Sequence, residues 1–504
     1  MGAAMAIAAG TREARLVLLA TILGSGVAFL DGTIVNVALP AIGRGLGADL
    51  ADLQWTVDAY LLTLTAFLLP GGATGDRVGR RRVFTVGLAS FGATSVLCGL
   101  APDPRWLAAA RLLQGVAGAL LVPGSLSVLR ASFRTEDEPR AVGTWAALAG
   151  ISTAIGPLAG GWLAENVSWR AIFLVNVPLV LAALWAARFV PESRDPTRRR
   201  PDLLGAALAA VGLGGVVLAL IGAAEHGPDR RVTAAGAAGV AALAAFLGVE
   251  ARRRDPMLPL ALFRSRPFAG VNAATLAVYF GLGGAMFLLV LQLQTGLGWS
   301  PLASGAALLP VTALVAALSP AAGRAAAAVG PRPFLAAGPL LVAGGLLLLG
   351  RVGPGARYAA DVLPGVLLLG TGLGATVAPL TTVAMGSVEP ERAGVASGVN
   401  NAVARLAALL AVAVLPLAGG VTSASLARGA MTAGYGRAMS IAAAVTAAGA
   451  VAALLTLGPA PARGAAGPGG APGGGRAAPA RARARRSRPA PPGRAGRRGP
   501  RPPG

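Results

Sequence analysis

"GATGDRVGRR", Gly72–Arg81, is a short charged turn between two apolar runs, and the chain echoes it further on. At a constant offset of 251 it aligns with "GRAAAAVGPR", Gly323–Arg332. Gly72 then falls on Gly323, Val78 on Val329, Gly79 on Gly330 and Arg81 on Arg332. A second echo pairs "GALLVP" (Gly118–Pro123) with "GATVAP" (Gly374–Pro379) at an offset of 256. The second copy keeps glycines and prolines and loses ionisable groups: Asp76 falls on Ala327, and Arg111 on Leu367. The backbone plan is repeated, while charge chemistry belongs to the first copy.

Both echoes lie among long apolar runs. Of 504 residues 55% are hydrophobic and 13% charged, the balance of a multi-span membrane protein. A helix needs ~20 apolar residues to cross the hydrocarbon. Fourteen runs approach that length: Leu16–Val37, Leu53–Gly72, Val83–Ala101, Trp106–Leu129, Val142–Leu163, Ala171–Val190, Leu203–Ala223, Val232–Val249, Phe268–Gln292, Ala303–Ala322, Phe334–Gly350, Ala359–Val383, Ala396–Leu417 and Gly436–Leu457. The expected architecture is an all-α polytopic protein of two six-helix bundles, residues 16–190 and 268–457. Two inserted helices with their linkers fill residues 191–267, after a short N-terminus (1–15) and before a basic tail (458–504).

All 44 basic residues are arginine. With Arg188 and Arg437, at span edges, counted with the adjoining loops, the N-terminus and the alternate loops that begin after the second span hold 22, the opposite loops 9, the tail 11 and the span interiors two, Arg111 and Arg405. Positive loops stay in the cytoplasm, so both termini are expected there, with an even number of spans in the cell membrane. The formal charge of +23 invites a nucleic-acid reading. Without the tail's eleven arginines it falls to +12, mostly in cytoplasmic loops, so no nucleic-acid partner is expected. The tail is Ala/Gly/Pro/Arg low complexity, too poor in large apolar residues to build a core. It is expected to be disordered and drawn to anionic lipid heads.

The absence of lysine excludes a Walker A phosphate loop and a Schiff base. One cysteine (Cys98) and one histidine (His226) build neither an internal disulfide nor a zinc site. No catalytic cluster is evident, so neither an enzyme nor a cofactor or metal is expected. Arg12 and Arg15 precede the first run as in a signal peptide, but no small-residue cleavage site follows, and it reads as an uncleaved first span.

On particular motifs the sequence resembles the major facilitator superfamily, and within it the fourteen-span drug:proton antiporters. "LDGTIVNVALP" (Leu30–Pro40) resembles that family's first-helix signature and "QWTVDAYLL" (Gln54–Leu62) its second-helix entry. "GATGDRVGRRR" (Gly72–Arg82) resembles motif A, with Thr74 and Gly75 in place of the usual Leu and Ala. "RLLQGVAGA" (Arg111–Ala119) is similar to motif B and "GISTAIGPLAGGW" (Gly150–Trp162) to the antiporter motif C. "WRAIFLVNVP" (Trp169–Pro178) and "SGVNNAVARL" (Ser397–Leu406) are also similar to family segments. Parallel repeats of six spans are the construction of this superfamily, with substrate bound at the repeat interface. The resemblance implies proton-driven efflux of amphipathic small molecules (antibiotics, biocides or secondary metabolites) by a monomer in the lipid bilayer. An importer of a small nutrient shares the fold but not motif C.

Asp31 is the residue the spans least accommodate. A charge at mid-membrane costs roughly 2.5–3.5 kcal/mol on insertion scales. Arg111 is the permanent charge at comparable depth in the first six spans, with Gln114 one turn on. The expectation is that Asp31 and Arg111 approach each other. They then either titrate as water access alternates or simply orient two helices. Asp58 is either a solvated entrance carboxylate or, as the resemblance implies, an attractor of cationic drugs. Asn401 and Arg405 share a face at i, i+4 and suit an anionic or zwitterionic product, and Gln292 is a further candidate lining residue.

In motif A, Gly72, Asp76, Arg77, Gly79 and Arg80 form a turn in which Gly79 offers a positive φ. The resemblance implies that Asp76 docks near Gly394–Ser397, at the start of the thirteenth span. In motif C, Gly150, Gly156, Gly160 and Gly161 let another helix approach closely, and Pro157 frees the carbonyl of Thr153 for a bend. That seam is either ordinary tight packing or, as the resemblance implies, an antiport-specific contact with the tenth span, "ASGAALLP" (Ala303–Pro310).

Overall fold

A computed structural model describes residues 7–194, 201–389, 392–428 and 431–457. The expected disordered tail lies outside the described residues. Fourteen spanning elements follow one another: α1 Arg12–Leu46, α2 Leu50–Val78, α3 Arg80–Gly99, α4 Pro104–Ser132, α5 Glu138–Asn166, α6 Ala171–Ala187, α7 Leu203–His226, α8 Arg230–Arg252, α9 Arg266–Gly296, α10 Pro301–Val329, α11 Arg332–Leu349, α12 Tyr358–Gly386, α13 Ala393–Gly419 and α14 Thr432–Thr456. Thirteen are long and apolar enough to cross a bilayer; α6 is shorter.

The helices overrun the apolar runs because polar residues cap them in water. Thr11 accepts from the Ala14 N–H at the start of α1, and Gly47, at φ 63°, ends it. Asp49 and Asp52 close a reciprocal capping box at the start of α2. Where the sequence suggested smooth spans, several are broken. The continuous helix expected over Ala171–Val190 is interrupted at Val175 and stops at Ala187. α10 breaks at Leu308, ahead of Pro310, which has no N–H for a continuous ladder. α9 ends in a π-helical turn, Gln292–Gly296, and α12 begins with one, Tyr358–Val362.

α1–α6 pack as one half and α9–α14 as the other, with α7 and α8 as an attached hairpin. Within each half, paired helices approach through glycines. Gly115 of α4 lies against the Tyr60 carbonyl and Thr63 of α2, and Gly372 of α12 stands where a Cβ would be 2.6 Å from the Gly338 carbonyl of α11. By the echo α2 corresponds to α10 and α4 to α12, and in that second pair Gly370 and Gly374 of α12 face Val311, Leu314 and Leu318 of α10; shared small residues explain why the spacing survives. α7 packs against both α2 and α13, where Leu62, Val217, Ile221, Leu409 and Ala413 form one apolar cluster. α8 leans on α7 through Gly212, Gly215 and Gly239 and is otherwise largely exposed.

The end of the helical array at which α1 begins is the terminal end, and the opposite one the far end. The chain before α1 is tied there to the α4–α5 loop: Ile7 N–H donates to the Ser132 carbonyl at 2.9 Å, and Ala9 N–H to Asp137 Oδ2 at 2.8 Å. At the far end the two halves are stitched together. Gln294 Nε2 donates to the Val37 carbonyl at 2.7 Å, Gln54 Nε2 to the Val412 carbonyl at 2.6 Å, and Leu302 N–H to Glu165 Oε2 at 3.0 Å. Leu50 N–H donates to Ser423 Oγ, which itself donates to Glu225 Oε1 of α7 at 2.8 Å.

Candidate functional site

Asp31 sits at the middle of α1, fully buried, and every group that holds it comes from the first half. It forms an ion pair with Arg111 of α4. Its other oxygen accepts from Gln114 Nε2 at 3.0 Å and from Asn176 Nδ2 of α6 at 3.2 Å. Gln114 also donates to Ser95 Oγ of α3 at 2.9 Å, and its Oε1 accepts from Arg111 Nη1 at 2.8 Å and from the Cys98 thiol at 3.5 Å. Arg111 Nε reaches the Thr56 carbonyl of α2 at 3.0 Å, while its guanidinium lies 4.4 Å from the centroid of the Tyr60 ring. The structure thus brings Asp31 and Arg111 together, as the sequence led us to expect, and Gln114, a candidate substrate-binding residue on the sequence, is bonded to both.

Such an arrangement satisfies both charges within a dry shell, which is what a buried pair requires if it is not to destabilise the fold. Directly beside it, Gly32 is exposed, with no heavy atom within 4 Å of where a Cβ would stand. The helix that carries the carboxylate therefore has one open face one residue away. Ser95, Thr56, Tyr60 and Asn176 went unremarked in the sequence, because neutral polar residues in a span are common and give no charge signal. Asn176 lies inside "WRAIFLVNVP", where a lone amide among apolar neighbours was the available hint.

Asp58 is elsewhere. It is fully buried in α2, one turn from Trp55 and Leu62, which pack against α7 and α13, and neither carboxyl oxygen has a hydrogen-bond partner. It does not join the Asp31 cluster. Gln292 is also remote from it: buried in α9, it donates to the Val352 carbonyl and Thr432 Oγ1, both at 3.1 Å. Asn401 is exposed on α13 and donates to the Ser397 carbonyl at 3.2 Å, while its neighbour Asn400 bonds Thr275 at 2.7 Å and Asn272 at 3.2 Å. Arg405, one turn beyond Asn401, is half-buried, and its Nε has no acceptor.

Motif C lies along two contacts. Gly156 and Gly160 face Thr33 and Ile34 of α1, whereas Gly161 stands where a Cβ would be 2.6 Å from the Pro301 carbonyl of α10. Gly305 of α10 lies against the Pro157 carbonyl in return. Gly150, toward the terminal end, is exposed and touches nothing within 4 Å. The α5–α10 seam is therefore closed at the far end and parted toward the terminal end.

In motif A, Gly79 has φ 138°, and a Cβ there would meet Glu192 Oε1 at 2.9 Å. Gly72 packs against Pro123, and Arg77 lies in the last turn of α2. Asp76 pairs with Arg80 at 2.8 Å; Gly394, where the resemblance implied its dock, has nothing within 4 Å of a Cβ position. The turn is held instead by the segment after α6: Arg80 N–H donates to the Ser193 carbonyl at 2.9 Å and Arg81 N–H to Glu192 Oε1 at 3.1 Å.

Among the described residues no group of three or more His, Cys, Asp or Glu side chains is arranged to hold a metal ion. The sequence matches the Major Facilitator Superfamily over residues 21–412. It is 37% identical over 408 residues to the multidrug resistance protein Stp of Mycobacterium tuberculosis, covering 80% of this chain and 75% of Stp. It is 37% identical to the puromycin resistance protein pur8 of Streptomyces alboniger, covering 79% of this chain and 80% of that one. Identity is 36% to the tetracenomycin C resistance and export protein of Streptomyces glaucescens, over 79% and 74% of the two chains. The fold resembles a crystal structure of a POT family transporter, with TM-score 0.65 at 13% identity over 88% of this chain and 96% of that one.

Proposed function

The chain belongs to the Major Facilitator Superfamily, and from that premise we propose that it exports amphipathic small molecules in exchange for protons. Relatives named for multidrug resistance, antibiotic resistance and export support the direction of transport. The observation that carries the coupling is the Asp31–Arg111 pair, a titratable group buried at mid-span beside an open helix face. When the cleft admits water from the side of higher proton activity, Asp31 takes up a proton and its pairing with Arg111 weakens. When the halves swing, water from the other side removes the proton and the pair re-forms. Arg111, Gln114 and Asn176 define the deprotonated state by holding both carboxylate oxygens.

In this reading both termini are cytoplasmic, the protein acts as a monomer in the cell membrane, and the proton gradient replaces any cofactor. One proton moving inward across 100 mV is worth ~2.3 kcal/mol, or about a fiftyfold substrate gradient. The far-end ties then close the outer side and the parted terminal end admits cargo from the cytoplasm. The experiment is dye and antibiotic efflux from a pump-deficient host, with proton movement followed in everted vesicles, for the parent and Asp31→Asn. Proton-driven efflux in the parent and its loss in Asp31→Asn at equal expression is the expected result. Unchanged coupled efflux in the variant removes Asp31 from the mechanism.

A further inference from the structure

Arg111 and Arg405 lie more than one turn inside their helices, and the structure treats them in opposite ways. Arg111 is saturated by Asp31, Gln114, the Thr56 carbonyl and the face of Tyr60. Arg405 of α13 has no acidic side chain beside it among the described residues, and its Nε is shielded from solvent without an acceptor. Its helix packs against α2 and α9, one from each half. Asp58 of α2 lies one turn from Leu62, which packs against α7. Asn401 stands one turn away toward the terminal end and is exposed.

A guanidinium N–H shielded from solvent without an acceptor is costly, and an anion that fits the planar fork removes that cost. The two carboxylates at this depth are not offered to a cation, since Asp31 is fully engaged and Asp58 is enclosed. We infer that Arg405 receives the carboxylate or ionised phenol of an anionic substrate. The inference rests on the export reading and names its substrate class. It also has an electrical consequence: one proton inward exchanged for one monovalent anion outward moves two charges down the membrane potential instead of one.

The test uses the full chain in lipid nanodiscs, titrated with fluorescein (a planar aromatic anion) and with rhodamine 6G, its cationic counterpart, by fluorescence anisotropy. The parent is expected to bind fluorescein the more tightly. Arg405→Gln is expected to weaken fluorescein binding roughly tenfold or more and to leave rhodamine 6G unchanged or tighter. Arg405→Lys, which keeps the charge and loses the fork, falls between them. A parent that binds neither dye, or binds rhodamine 6G better, overturns the inference, and so does an Arg405→Gln variant that binds fluorescein as the parent does. The anion-over-cation ranking on the parent needs no mutant, so a variant that fails to fold leaves the inference exposed to refutation. Dye uptake into everted vesicles separates the two readings. Proton-driven uptake of rhodamine 6G without Arg405-dependent fluorescein binding sinks the inference alone, whereas binding without any driven uptake sinks export.

Discussion

The side-chain amide of Gln54 in α2 donates to the main-chain carbonyl of Val412 in α13 at 2.6 Å, across the boundary between the two halves. That carbonyl is available because its ordinary helical partner would be the N–H of residue 416, and Pro416 has none. A proline in one half and an amide in the other thus make a far-end lock. Replacing Gln54 by Leu leaves the carbonyl buried and unpaired, a cost of about 1–3 kcal/mol in this state. The expected outcome is a shift of roughly tenfold or more toward the far-end-open state. Spin-label distances between the α1–α2 and α9–α10 turns would measure it, and unchanged distances would count against the lock.

Arg111→Gln removes the partner of a carboxylate that stays buried. Breaking a buried pair from one side typically costs about 3–5 kcal/mol, so a lower melting temperature in detergent is expected. Adding Asp31→Asn to it is expected to recover most of that stability, because neither charge then remains, while proton-driven efflux stays absent. Should the double variant transport with full proton coupling, the pair is only a scaffold.

Gly161 permits the closest approach of α5 to the Pro301 carbonyl and Leu302. Gly161→Val puts methyl groups into occupied space, an overpacking cost of about 1–3 kcal/mol. We expect a slow proton leak in proteoliposomes that Gly150→Val does not produce, because Gly150 faces open space in the same structure. Equal leaks from both variants would mean that the seam does not seal the far end.

Glu192 accepts from Arg81 N–H and Ser193 N–H and lies 3.8 Å from Arg82. Half-exposed contacts of this kind are worth at most about 1 kcal/mol, so Glu192→Ala should scarcely alter the melting temperature. Its effect is local. Limited tryptic digestion after Arg81 and Arg82 is expected to accelerate severalfold, and an unchanged digestion rate would show that Glu192 does not hold the turn.

Much of this architecture could be read from the residues, for physical reasons that differ by element. Asp31 and Arg111 announced each other because charges are rare in apolar spans, and one carboxylate at depth needs one cation. The glycines of "GISTAIGPLAGGW" marked a close approach because nothing larger fits between helices. Gln54 gave no such signal, since its acceptor is a main-chain oxygen created by a proline more than 350 residues away. Gln292 looked like a lining residue because it is an amide in a span. The π-helical turn that starts there turns it instead toward the Val352 carbonyl, and periodicity does not reveal a helix that changes its pitch. Asp76 and Arg80, at i, i+4, had a local partner in plain view, and in this state the local contact is the one made.

Every side chain that touches Asp31 belongs to α1–α6, so the pair rides inside a single rigid body. Swinging the two halves neither stretches the ion pair nor separates its charges; it changes only which compartment can wet them. Chemical timing and mechanical stroke are then separable parts of one machine. If Asp31 carries the proton as proposed, a transporter stapled shut by a cross-link between its halves would still exchange that hydrogen ion with whichever bath it faces, while moving no cargo at all.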